Sequence, residues 1–232
     1  MVHIHVGPTQ KLYTVHKDKL CKQAPYFVKV FSDTTKFPED EIPTVGFLDE
    51  KPDTFNVFLA WVYDDRLPAL KPNKVPDKNH GWSWDVFDVY LLGKTLKLPV
   101  LQDQVMDAWR EAQGTHHMLH SLETVKEIFP RLDDRCAMQR YLAHSLVKAI
   151  LGSDTAKFEE LYPTKKVQEL LSEDEKLLGL VLRYLRGMEG RHMREPRFVE
   201  GKLACNYHDH VDKWSCPNQR DPEPVEKKAD EA

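Results

Sequence analysis

Four residues near the C-terminus carry side chains that bind metal ions, namely Cys205, His208, His210 and Cys216. Two thiolates and two imidazoles are a suitable tetrahedral ligand set for Zn²⁺. Their spacing, C-x2-H-x-H-x5-C, differs from that of common zinc fingers, and His208 and His210 would point the same way only on an extended strand. Two alternatives stay open, a structural zinc site or a polar, partly ordered tail with incidental histidines. We expect no other cofactor.

A second group of histidines, His116, His117 and His120, follows a predicted helix. His116 and His120 are four residues apart, but no third ligand is evident nearby and the glutamate of H-E-x-x-H is missing. We interpret the group as a solvated helix end. The sequence also has no glycine-rich phosphate loop, no G-x-S-x-G elbow and no Rossmann fingerprint. We therefore predict no catalytic residues and a protein that is not an enzyme.

Two tryptophans, Trp82 and Trp84, are candidate contacts for a protein partner. They stand at the start of a helical pattern, and residues two apart cannot both face the core from one helix. One exposed tryptophan would suit an interface, where large aromatic side chains supply much of the binding energy. The alternative is that at least one of them packs in the core.

The composition limits the classes of function. The 232 residues are 41% hydrophobic and 30% charged, which is typical of a globular protein. A net charge of −4 argues against a nucleic-acid module with one basic surface. No apolar run approaches the roughly 18 residues that span a bilayer, the N-terminus lacks the pattern of a secretory signal, and four cysteines are too few for a disulfide scaffold. We expect an intracellular protein, cytoplasmic or nuclear, with no membrane or nucleic-acid partner.

Hydrophobic periodicity predicts a small sheet at the N-terminus. Val2, Ile4 and Val6 alternate with polar residues, a turn follows at 7–10, and residues 12–15 read as a returning strand. A third short strand is predicted at 45–48.

Helices dominate the remainder of the predicted structure. Pro52 begins an amphipathic helix, and further helices are predicted at 84–96, from Pro99 to about Gln113, at 122–128 and at 135–151. The last predicted helix, 173–186, starts from a capping box formed by Ser172 and Glu175. Residues 66–81 have no periodicity and are interpreted as an exposed loop.

Several pieces of sequence in the first half of the chain form a recognisable series. They are Ile4-x-Val6-Gly7, Tyr13-x-Val15-His16-Lys17-x-x-Leu20-Cys21, Ala24-Pro25-Tyr26-Phe27, Phe58-Leu59-x-Trp61 and Val89-Tyr90-Leu91-Leu92-Gly93-Lys94. In order and spacing this series resembles the BTB/POZ domain, especially the form found in fungal proteins. The resemblance implies an α+β fold, a helical cluster flanked by a short β-sheet, whose function is protein–protein association.

The resemblance also makes expectations for single residues. His16 would be a partly buried, hydrogen-bonded structural histidine. The aspartate that typical members carry before the first strand has no counterpart before Val2, which argues against the domain-swapped homodimer of the family and leaves a looser homodimer. Phe37-Pro38-Glu39 has the hydrophobic-x-acidic form that some BTB adaptors use to bind a cullin; an ordinary acidic loop is the alternative.

Four regions are predicted in all. They are a BTB/POZ domain at 1–113, an all-helical extension at 114–190, a Cys/His-containing segment at 191–216 and a disordered tail at 217–232. We expect a protein-interaction module that acts as an adaptor or scaffold. The alternatives are a substrate receptor of a cullin-type ubiquitin ligase and a zinc-dependent nuclear regulatory protein.

Overall fold

The computed structural model describes residues 1–32, 42–75, 78–151, 159–187, 196–198 and 205–209. The N-terminal part contains strands β1 (Val2–Val6), β2 (Lys11–Val15) and β3 (Thr44–Phe47), and helices α1 (Lys17–Gln23), α2 (Pro25–Phe31), α3 (Pro52–Asp64), α4 (Val86–Thr95) and α5 (Pro99–Thr115). The extension contains α6 (Leu122–Ile128), α7 (Ala137–Ile150), α8 (Thr164–Glu173) and α9 (Glu175–Gly187). None of these helices is long and apolar enough to cross a lipid bilayer.

The three strands form one sheet in the order β2-β1-β3. The central strand β1 runs antiparallel to β2, with Val2 opposite Val15, and parallel to β3, with Val6 opposite Phe47. Because side chains alternate between the faces of a strand, Val2, Ile4 and Val6 share one face. All three are fully buried, which confirms the predicted alternation.

Aromatic side chains of α2 and α3 form much of the core of the N-terminal part. Phe27 of α2 and Phe55, Phe58 and Trp61 of α3 are buried almost completely. The ring centroids of Phe55 and Phe58 lie 5.3 Å apart, and those of Phe27 and Phe58 lie 6.3 Å apart. The amphipathic helix predicted from Pro52 is therefore confirmed, and its apolar side faces the core.

The core continues without a break from the N-terminal part into the extension. Phe87 of α4 packs edge-on against Trp109 of α5, with ring centroids 5.2 Å apart. Trp109 packs in turn against Tyr141 of α7 at 5.0 Å. The extension therefore packs on the N-terminal part, and its short helices derive their stability from this packing.

Two of the predicted helix starts lie two residues too early because an aspartate provides the cap. Helix α4 begins at Val86, since the carboxylate of Asp85 accepts hydrogen bonds of 3.1 Å from the amides of Phe87 and Asp88.

The capping box at Ser172 is the second case. Ser172 lies inside α8, and its hydroxyl donates to the Glu169 carbonyl at 2.8 Å. Asp174 caps α9 instead, accepting a hydrogen bond of 2.9 Å from the Leu177 amide. In both cases an aspartate directly before the helix provides the capping acceptor.

The stretch 66–81, predicted to be an exposed loop, folds back on the core in part of its described residues. Pro72 forms an antiparallel bridge with Trp82, and Leu70 is buried. Trp82 and Trp84 lie between this stretch and α4, outside the helix. Both are buried, 3% and 6% exposed, and the Trp84 indole donates to the Pro68 carbonyl. The alternative that at least one of them packs in the core is therefore confirmed for both.

Candidate interaction surfaces

The outer face of the sheet is accessible in the described structure. Strand β1 presents the partly exposed His3 and His5 there, and β2 presents the exposed Leu12 and Thr14. Leu12 is 51% exposed and lies opposite His5. Strand β2 is an edge strand, and no described strand pairs with its outer side. An edge strand with an exposed apolar side chain is suited to contact another protein.

A second surface is a polar groove between α5 and α7, which residues 205–209 of the same chain fill. We call these residues the docked segment. Asp103, Asp107 and Arg110 lie at positions i, i+4 and i+7 of α5 and therefore share one face of that helix. Arg140 and His144 of α7 form the opposite wall. The two walls thus bring acidic and basic side chains to the same docked segment.

Charged side chains of the groove hold the main chain of the docked segment. The Arg140 guanidinium donates to the carbonyl of Asn206 at 2.7 Å and to the carbonyl of His208 at 2.8 Å. The carboxylate of Asp103 accepts a hydrogen bond of 2.6 Å from the Asp209 amide. Hydrogen bonds that involve a charged group are stronger than neutral ones, so these contacts fix the path of the segment.

Tyr207 is the buried aromatic residue of the docked segment. Its ring packs edge-on against Tyr141 with centroids 5.3 Å apart, and the Arg110 guanidinium lies 5.1 Å from its centroid. Burial, together with the positive charge of Arg140, lowers the pKa of His144 to about 4. The imidazole of His144 is therefore neutral at pH 7, and its Nδ1 can accept the hydrogen bond of 2.8 Å from the Tyr207 hydroxyl.

The carboxylate of Asp209 meets three positively polarised groups. One oxygen accepts from the Ala137 amide at 2.7 Å and lies 3.5 Å from the Arg140 guanidinium; the other accepts from the Tyr90 hydroxyl. Burial raises the pKa of Tyr90, with smaller contributions from the neighbouring Cys136 and Asp209, so its hydroxyl keeps the proton that it donates. Ala137 is the first residue of α7, where the helix dipole also favours a negative charge.

The zinc hypothesis involves two residues of the docked segment. His208 is buried, and its Nε2 lies 2.9 Å from a carboxylate oxygen of Asp107. Cys205 is partly buried, whereas His210 and Cys216 lie outside the described residues. Within the described part of the chain, no group of three or more His, Cys, Asp or Glu residues could hold a metal ion. The four-ligand zinc site stays a prediction.

The other predicted positions have mixed outcomes. Phe37 and Glu39 lie outside the described residues. His16 is hydrogen-bonded as expected, through its Nδ1 to the Tyr63 hydroxyl at 2.9 Å, but it is exposed rather than partly buried. His116 is exposed at the end of α5, as predicted for a solvated helix end.

His120 differs from this prediction, because it is buried at the junction of the N-terminal part and the extension. The Tyr141 hydroxyl donates to Gln113 Oε1 at 2.5 Å, and Gln113 Nε2 lies 3.4 Å from His120 Nδ1. The Tyr162 hydroxyl donates to the His120 carbonyl at 2.7 Å. Burial, with a smaller contribution from the charge of Arg197, lowers the pKa of His120 to about 4. A neutral polar network therefore joins α5 to the extension.

Sequence reasoning missed the groove and the residues that occupy it. The signals were a polar stripe on α5, consisting of Asp103, Asp107 and Arg110, and an aromatic residue two positions before an aspartate, Tyr207 and Asp209, in a region without periodicity. Neither signal alone predicts that the two regions meet.

Comparison with known families concerns the N-terminal part. Residues 2–111 match the model of the BTB/POZ domain. No curated protein matches the chain. The matched range contains the sheet and α1 to α4, and it ends within α5. The expected α+β fold, with a short sheet flanked by helices and followed by a helical extension, is confirmed.

Proposed function

Since residues 2–111 form a BTB/POZ domain, a protein-interaction module, we propose that the chain is a non-enzymatic adaptor or scaffold. The match over the N-terminal part is the observation that carries this proposal. BTB domains bind protein partners and dimerise. We further propose the fungal form of the domain and a location in the cytoplasm or nucleus.

The accessible outer face of the sheet is the surface that we assign to the partner. Leu12 is half-exposed on the edge strand β2, next to the partly exposed His5. Covering a leucine of this exposure would contribute on the order of 1 kcal/mol to association. A partner strand could in addition pair with the outer side of β2.

Two matched leucine variants test this assignment with a second copy of the chain as the partner. Leu12→Glu places a charge on the proposed surface, and Leu182→Glu places one on α9, where the leucine is similarly exposed at 43%. We expect the wild type and Leu182→Glu to self-associate at micromolar concentration in light scattering after size-exclusion chromatography. Leu12→Glu should weaken association at least tenfold. A wild type that stays monomeric, or equal association of the two variants, would contradict the assignment.

The cullin alternative depends on the sequence Phe37-Pro38-Glu39, which lies outside the described residues. It is a finer form of the same function, in which the partner is the scaffold of a ubiquitin ligase. Co-purification with a cullin that is lost on Phe37→Ala or Glu39→Lys would support it. Absence of cullin binding at micromolar protein would reject it.

The alternative of a zinc-dependent nuclear regulatory protein depends on Cys205, His208, His210 and Cys216. Zinc binding through Nε2 of His208 would have to replace its contact with Asp107. Elemental analysis of the purified protein tests this alternative, because a metal-free and fully folded sample removes it.

A further inference from the structure

The docked segment lies in its groove in the way that a bound peptide does. Arg140 and Asp103 hold its main chain, the Tyr207 side chain is buried, and polarised donors surround the Asp209 carboxylate. Its hydrogen bonds to the groove join residues between 63 and 119 positions apart in sequence. Main-chain contacts combined with pockets for particular side chains are how proteins recognise short segments of their partners.

We propose that the groove between α5 and α7 is a recognition site for short segments of other proteins that carry a tyrosine and, two positions later, an aspartate. The docked segment of the chain occupies this site in cis. This function goes beyond partner binding by the sheet of the BTB/POZ domain, because it uses a different surface. One wall of the groove belongs to α5 and the other to the extension.

The chemistry of the groove explains why both residue types are required. Nδ1 of the neutral His144 accepts a hydrogen bond from a hydroxyl, which phenylalanine would not provide at the tyrosine position. The Ala137 amide and the Tyr90 hydroxyl both donate to the carboxylate, and Arg140 adds a positive charge. Asparagine at the aspartate position would lack the negative charge that Arg140 attracts, and it would replace one acceptor oxygen by a donor.

The docked segment competes with any partner because it is tethered to its site. Because of its tether, the docked segment is present at its site at an effective concentration on the order of millimolar. A partner segment of similar affinity must reach a comparable concentration to displace it. The apparent Kd of a free peptide for the wild type should therefore be about millimolar. For a peptide with an intrinsic Kd of about 10 µM, removing the tethered competitor should tighten binding about 100-fold.

A labelled peptide tests the proposal by fluorescence anisotropy. The probe has the sequence of residues 203–211 with Cys205→Ser, and the target is the full chain with Tyr207→Ala and Asp209→Ala. Asn206→Ala is the matched control, since the Asn206 side chain is exposed and the groove binds its carbonyl.

We expect the double variant to bind the probe about 100-fold more tightly than the wild type and Asn206→Ala do. The gain should disappear when Arg140→Gln is added to the double variant, or when the probe carries Asp209→Asn. A folded double variant that binds no more tightly than the wild type overturns the proposal, and so does equal binding of the Asp209→Asn probe. Leu12→Glu should leave probe binding unchanged, which separates this test from that of the sheet surface.

Hydrogen exchange of the wild type decides the question if the double variant does not fold. Millimolar probe should displace the docked segment and speed exchange of the Asp209 amide, because this amide loses its hydrogen bond to Asp103. The Ala137 amide should stay protected, because the aspartate carboxylate of the probe takes the place of the Asp209 carboxylate. Unchanged exchange at Asp209 overturns the proposal. A wild-type dimer that the probe dissociates would also overturn it, since the site would then bind the segment of a second copy.

Discussion

Acidification should destabilise the folded chain because His120 and His144 are buried in the neutral form. Burial lowers the pKa of each imidazole from the ordinary value of 6.5 to about 4. The unfolded chain therefore binds these two protons at higher pH than the folded chain does, and the free energy of unfolding falls as the pH drops from about 6.5 to about 4. At about pH 5 the expected loss is about 2 kcal/mol per histidine. A combined loss of about 4 kcal/mol is a large share of the roughly 5–15 kcal/mol that stabilises a typical domain.

Urea unfolding followed by circular dichroism at about pH 7.5 and about pH 5 measures this loss. His120→Asn removes the titrating ring and keeps an acceptor, Oδ1, near the position from which Nδ1 faces Gln113. The cost of the smaller side chain is common to both pH values, so it cancels in the difference. The loss between the two pH values should shrink by about 2 kcal/mol in this variant. His116→Gln, at an exposed position, should behave as the wild type. If His120→Asn loses as much stability as the wild type on acidification, the reasoning is refuted.

Two glycines and two tyrosines give further matched tests of stability. Gly7→Ala should lower the free energy of unfolding by about 1–3 kcal/mol, because Gly7 has a φ of +76° and an added Cβ would lie 3.1 Å from a proline side chain. Gly179→Ala lies inside α9 with nothing within 4 Å of the added Cβ, so it should instead raise the free energy of unfolding by about 0.5–1 kcal/mol. Shifts of the same sign in the thermal unfolding temperatures of the two variants would contradict this pair of predictions. Tyr141→Phe should cost about 1–3 kcal/mol in urea unfolding, because it leaves the buried Gln113 Oε1 without its donor. Tyr26→Phe should cost less than about 0.5 kcal/mol, because the Tyr26 hydroxyl bonds to no described residue. Equal costs of Tyr141→Phe and Tyr26→Phe would show that the Tyr141 hydrogen bond contributes nothing to stability.

Local periodicity predicted the elements that have one buried face. The alternation of Val2, Ile4 and Val6 gave the central strand, and the spacing of Phe55 and Phe58 gave α3, because burial on one side imposes a period on the sequence. Capping was less predictable, since Ser172 and Asp174 both precede α9 within one turn and the structure uses the second.

Features that depend on contacts distant in sequence could not be predicted in this way. His120 lies in a polar stretch after α5, and Tyr141 and Tyr162 of the extension contribute to its burial. Tyr207 lies in a region without periodicity, and its burial depends on α5 and α7 together. A pattern within one element carries no information about which other element covers it.

The part of the chain that matches the family is smaller than the part that shares one core. The match ends at residue 111, inside α5, whereas Trp109 packs between Phe87 of the BTB/POZ domain and Tyr141 of the extension. A chain cut at residue 111 would expose the Trp109 ring, so the domain depends on the extension to cover this side of its core.

The groove between α5 and α7 lies at the same junction, and it exists only while the two parts are packed together. A ligand that binds only the packed state shifts the equilibrium toward that state. The docked segment, with Asp103 on one wall and Arg140 on the other, must therefore stabilise the junction. A partner segment that replaces it has to supply the same bridging contacts to preserve this stability.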